Sequence, residues 1–194
     1  MTLVIVLVVA VLVAGWLAMT FNRLVAMRNR MRGAWADVDT LLKRRADLIP
    51  NLVQSVRGYM DHEEGTLARV TEARARAASA ASAGSGPENA AARAEAESAI
   101  TAGLRQLFAV AESYPDLKAN QNVLDLQRQL GETENDIASA RRYYNAVVRD
   151  FNTLRETFPN VLIAGPFGFR PGEFFELADV AQREAPKVDL GRDR

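Results

Sequence analysis

The sequence predicts an all-α protein: an N-terminal transmembrane helix, then a long antiparallel four-helix bundle, then an irregular C-terminal segment. Three observations carry that prediction. Residues 1–22 contain no charged side chain. Four later segments repeat apolar residues at alternating steps of three and four, the period of one helix face. No strand-like alternation of comparable length occurs in the chain.

The first element is "MTLVIVLVVAVLVAGWLAMTFN". As a helix, Leu3 to Phe21 spans about 28 Å, close to the ~30 Å hydrocarbon thickness of a bilayer. A cleaved signal peptide is the competing reading, but its basic n-region is missing here. Arg23, Arg28, Arg30 and Arg32 follow at once, before the first acid at Asp37. The positive-inside rule then puts the N-terminus outside and the rest of the chain in the cytoplasm. These arginines, with Phe167 and Phe169 near the C-terminus, are the candidate lipid-facing residues.

From Arg23 to about Arg57 the seam runs Val38, Leu41, Arg45, Ile49, Leu52, Val56 and Tyr59, interrupted only by Arg45. Pro50 lies inside this pattern and predicts a kink rather than an end. A second helix, from about His62 to Ala83, aligns Leu67, Val70, Ala73, Ala77 and Ala80. "AGSGP" breaks the chain before a third helix, about Glu88 to Ser113, with Ile100, Leu104, Leu107, Ala111 and Tyr114 on its face. The fourth helix has the clearest rhythm, from Val123, Leu126, Leu130, Thr133 and Ile137 through Ala140, Tyr144, Val147 and Phe151 to Leu154 and Phe158. That is about five heptads of bundle or coiled-coil packing face. The predicted boundaries are therefore 1–22 for the anchor, 23–157 for the bundle and 158–194 for the aromatic-rich tail.

Composition narrows the function classes. Basic and acidic residues number 24 each, so the chain as a whole has no electrostatic reason to seek nucleic acid. With no cysteine, disulfides, thiolate nucleophiles and Cys-based zinc sites are excluded. The single histidine, His62, sits in "RGYMDHEEGT" beside Asp61, Glu63 and Glu64. A zinc-peptidase helix needs a second histidine four residues away, and a di-metal carboxylate bundle needs Glu-x-x-His; neither occurs. The stretch reads better as a corner, with Gly58 as a left-handed helix stop and Asp61 with Glu64 as a capping box. No metal, cofactor or catalytic residue is expected.

Two further groups stand out. Asn145 and Asn152 lie seven apart on one face of the fourth helix. They are expected to set helix register in a polar network with Arg44, Arg45 and Asp47. Five of the eight phenylalanines follow residue 157. The second and third helices are shorter than the first and fourth, so they would stop before the membrane and leave Met27, Met31 and Trp35 uncovered. The segment "FPNVLIAGPFGF" either folds over that seam or meets the bilayer.

"DLIPNLVQSVRGYMDHE" (47–63), "AESYPDLKANQNVLDLQRQLGETENDIASARRYYNAVVRDFN" (111–152), "FPNVLIAGPFGF...FFE" (158–176) and the closing "PKVDL" resemble the signature blocks of the LemA family. Pro166 departs from the pattern, where a larger apolar residue is more usual. The resemblance implies one N-terminal membrane helix followed by a long four-helix bundle. It implies no catalytic residues, and association with membrane peptidases or, in one branch, with organelle-like membranes of magnetic bacteria. Together these readings predict a non-enzymatic scaffold or interaction module, single-pass in the inner (cytoplasmic) membrane of a bacterial cell. Its partners are the bilayer and possible membrane proteins. The alternatives are a membrane-remodelling protein and, further off, an enzyme with an interhelical cleft.

Overall fold

The computed structural model describes residues 1–60, 63–84 and 86–177, and no strand occurs among them. His62, Asp61 and the "PKVDL" tail lie outside the described residues. The elements are α1 (Thr2–Arg57), α2 (Glu64–Ala83), a 3-10 turn (Pro87–Asn89), α3 (Ala90–Ala111), α4 (Pro115–Ala119), α5 (Gln121–Glu156) and α6 (Val161–Ala164).

The apolar run and the first seam belong to one uninterrupted helix of 56 residues, about 84 Å long. Among the described residues it is the one helix long and apolar enough to cross a membrane. It passes through Pro50 without ending. Proline has no N–H, so the carbonyl of Ala46 one turn earlier loses its helical donor. Arg74 of α2 supplies the replacement, its Nε donating to that oxygen at 2.8 Å. The proline thus creates an acceptor that docks α2.

The corner after α1 differs from expectation. Gly58 is right-handed, with φ −72° and ψ −8°, so it is not the left-handed stop. The chain instead continues in a tightened turn, Tyr59 N–H donating to Val56 O at 3.0 Å, and Met60 reaches the core. Glu64 is the first residue of α2, with Glu63 flanking it and no side-chain cap. Glu64 therefore does not hold the third-position role of a capping box, though it still places an acid at the positive end of the helix dipole. The genuine side-chain cap is Asn120, whose Oδ1 accepts from the backbone N–H groups of Asn122 and Val123.

α1 and α5 are antiparallel neighbours. Arg45 meets Glu134 and Trp35 meets Tyr144, so ten residues down α1 are matched by ten up α5. α2 pairs with α3 and also packs on α1. On α5 the predicted seam is buried or half-buried from Val123 through Leu154. Phe158 is the exception: the helix ends at Glu156, and this ring is 75% exposed. Pro159 is the reason, because it bars the preceding residue from helical angles.

The core has two apolar halves. The half nearer the apolar end of α1 contains Leu24, Met31, Trp35, Leu42, Ile137, Tyr144 and Phe151, with Ile163, Phe169 and Phe175 from the C-terminal segment. The far half contains Ile49, Leu52, Val56, Leu67, Val70, Ile100, Leu104 and Leu130 from α1, α2, α3 and α5.

Candidate anchor-side site

A layer of charge separates the two apolar halves. Arg45, wholly buried, donates to Glu97 Oε2 at 2.6 Å, to Thr101 Oγ1 at 2.9 Å and to Glu134. Glu97, also buried, accepts from Arg93 Nε at 2.9 Å through its other oxygen, and Arg93 reaches Asp39 at 3.2 Å. Each buried charge thus has an opposite partner, as desolvated ions require. Arg45 was legible as the one break in the first seam. Glu97 and Arg93 were missed. The signal was present, since Arg93, Glu97, Ile100 and Leu104 share one stripe of α3 and a charged pair within an apolar stripe marks a buried bridge. Asp47 makes no ion pair with the layer; it is exposed at the rim of the cleft beside it.

A cleft of about 270 Å³ opens beside this layer, lined by Asp39, Lys43, Asp47, Arg74, Arg93 and Glu97, with alanines forming the rest of its wall. Arg74 is engaged with the Ala46 carbonyl, and Arg93 with Asp39 and Glu97. Among the described residues no group of three or more His, Asp or Glu side chains is arranged to hold a metal ion.

Asn145 and Asn152 do not meet Arg44, Arg45 or Asp47. They bind the returning C-terminal strap, residues 169–177. Asn152 Oδ1 accepts from Gly172 N–H at 2.8 Å while its Nδ2 donates to Gly172 O at 3.0 Å. Asn145 repeats the pair on Phe175, at 2.9 and 3.1 Å. The spacing explains the match: seven residues of helix rise about 10.5 Å and three residues of extended chain about 10 Å. Two side-chain amides therefore act like the edge of a neighbouring strand. Between them Tyr144 donates to Glu173 O at 2.7 Å. Burial first, then the nearby acids Glu173 and Glu88, raises the Tyr144 hydroxyl above its ordinary range and keeps it a donor.

The strap fits closely. A β-carbon at Gly172 would lie 2.6 Å from Met31 Sδ and 3.3 Å from Val148 Cγ1. Gly168 takes φ +70°, a conformation that favours glycine, and turns the chain back into the strap. Phe175 then lies edge-on to Trp35, with ring centres 5.6 Å apart, and covers the seam that α2 and α3 are too short to reach.

The lipid-facing candidates divide. Phe169 is buried against Phe21 and beneath the Arg28 guanidinium, 5.0 Å from the ring centre, so it is a core residue. Arg28 is correspondingly half-buried over that ring. Arg30 donates to the Tyr143 hydroxyl at 3.1 Å, which raises the arginine's pKa further. Arg23 and Arg32 are exposed. Phe167 is 62% exposed while its ring touches Phe21 at 5.4 Å.

Comparison with known proteins follows the same regions. The LemA family matches residues 34–190, from the residue before Trp35 on α1 to the tail. The chain is 24% identical over 169 residues to Protein LemA of Metamycoplasma hominis, a match covering 87% of this chain and 74% of that one. It is 23% identical over 181 residues to Magnetosome proteins MamQ 1 and MamQ 2 of Paramagnetospirillum magneticum, covering 82% of this chain and 66% of each. The chain thus spans just under two thirds of the length of those two relatives. A family match running through the first seam, the asparagine helix and the strap makes this chain a member of the LemA family.

Proposed function

We propose that this protein is a membrane-anchored helical-bundle scaffold, non-enzymatic, holding partners at the cytoplasmic face of a bacterial inner membrane. The observation that carries the reading is the continuity of α1. One rigid helix runs from the apolar stretch through both halves of the core, so the bundle stands on its anchor without a flexible joint. The polar side chains of α5 are consistent with this role: they bond the strap and the charged layer rather than converging on an open pocket.

The test uses the absence of native cysteine. A single cysteine at the exposed position Ser139 is expected to resist a membrane-impermeant maleimide in intact spheroplasts and to react after permeabilisation. Cross-linking in native membranes, followed by mass spectrometry, is expected to recover a defined membrane protein with the full chain. Labelling in intact spheroplasts would overturn the orientation. Release of the chain by alkaline carbonate would overturn the anchor, and the absence of a reproducible partner would overturn the scaffold role.

The similarity to the two magnetosome proteins favours a second reading, a membrane-organising protein. That reading requires lateral assembly, so a strictly monomeric protein by light scattering in detergent and in nanodiscs would remove it.

A further inference from the structure

We infer that the turn from Thr157 to Phe169, centred on α6, is a second membrane contact whose apolar side chains lie in the interfacial layer of the bilayer beside α1. The inference rests on the reading that α1 anchors the protein, and adds to it a point of attachment that a single helix does not provide.

Helix register locates the turn. Tyr144 to Glu156 on α5 and Trp35 to Arg23 on α1 are equal chain lengths, about 18 Å each at 1.5 Å per residue. With Trp35 packed on Tyr144 in an antiparallel pair, Glu156 arrives level with Arg23. Arg23 is the first charge after the apolar run, which makes it the marker of the headgroup level. The chain beyond Glu156 therefore continues toward the apolar side of that level. The contacts agree. Phe21, two residues inside Arg23, meets Phe167 and Phe169, while Ile163 and Ala164 of α6 join the cluster that holds Leu24 and Trp16.

Composition points the same way. No charged residue occurs between Glu156 and Arg170. Within this stretch Ile163, Ala164 and Phe169 face inward and are buried. Phe158, Val161, Leu162 and Phe167 face outward, with exposures of 75%, 44%, 63% and 62%. Seam-covering alone explains the inward set, not the outward one. A contiguous apolar face in water is costly, and its continuity with the apolar surface of α1 names the bilayer as what covers it. Arg170, exposed at the C-terminal edge of the stretch, would meet lipid phosphates. Two attachment points along the membrane restrict tilt and rotation of the bundle, which a lone span leaves to its neighbours.

The experiment reconstitutes the full chain, carrying one bimane-labelled cysteine, in phosphatidylglycerol–phosphatidylethanolamine vesicles with and without brominated acyl chains. Labels at Leu162, and separately at Phe158, are compared with Val8 in the apolar run and Ser139 on the bundle surface. All four positions are exposed, and circular dichroism of each variant checks its fold. Brominated lipid is expected to quench the Leu162 and Phe158 labels about threefold or more above Ser139, though less than Val8, as for interfacial side chains. Quenching at Val8 with Leu162 and Phe158 both at the Ser139 level would overturn this inference and leave the anchor standing. Weak quenching at Val8 as well would overturn both.

Discussion

The two halves of the bundle solve the same packing problem with different material. In the far half, α2 and α3 close over α1 and α5 with leucine, valine and small alanines, helix against helix. The other half receives only the first turns of α3, through Ala90 and Ala94, since α2 and α3 are 20 and 22 residues against 36 for α5. Beyond those turns an extended strap and aromatic rings complete the cover. A helix satisfies its own backbone, so α2 and α3 need only an apolar stripe. An extended strap does not, and Asn145, Asn152 and Tyr144 supply the hydrogen bonds it lacks. The anchor-side half is thus the more polar in its bonding and the more demanding of particular residues.

The strongest way to break this comparison is to remove the layer between the halves. Glu97→Ala leaves Arg45 and Arg93 buried without their shared partner and is expected to cost about 3–5 kcal/mol. Chemical denaturation of the detergent-solubilised protein measures it, and both halves should lose protection together in hydrogen exchange. Next comes the strap. Asn152→Ala and Asn145→Ala are each expected to cost about 1–2 kcal/mol, because the Gly172 and Phe175 backbone groups regain only water. Exchange should rise across residues 169–177 and remain unchanged in α2 and α3; equal loosening of both halves would refute the division.

The far half has its own polar dependence, at the proline. Arg74→Met is expected to destabilise the protein by about 1 kcal/mol by leaving the Ala46 carbonyl without a donor. In the Pro50→Ala background the helix provides that donor itself, so the same substitution should cost measurably less. Equal costs in the two backgrounds would show that Arg74 acts in another way. The smallest effect concerns pH. The Tyr144 hydroxyl has a folded value raised above its ordinary 10. Its contribution is therefore fully present below about pH 10 and is lost as pH rises through the folded value. Tyr144→Phe should flatten that alkaline decline in the melting temperature without changing behaviour near neutrality.

Particular residues show how far the sequence could be read. The α5 seam was legible through Leu154 because a 3.6-residue period is a property of a single helix. It failed at Phe158 because Pro159 acts on the backbone, which apolar spacing does not register. Arg45 was visible as an interruption, yet its α3 partners were not, since spacing within α1 carries no information about which turn of α3 lies opposite. Asn145 and Asn152 were visible as a pair, but the partner proposed for them was helical and the true one is extended. Gly58 was placed from local residue preference at the end of α1, where the structure has it, but as a left-handed stop, whereas it is right-handed. Met60 just beyond it enters the core, so tertiary burial set the geometry of the turn.

By itself, then, the sequence determined the charge-free run, the helical periods, the unequal helix lengths and hence an uncovered anchor-side seam. All of these are counted along one chain. Only the tertiary structure decided what fills the seam, which charges share the buried layer, and which phenylalanines face inward or outward. Those outcomes depend on register between elements distant in sequence, where a shift of one turn, about 5.4 Å, exchanges one set of partners for another.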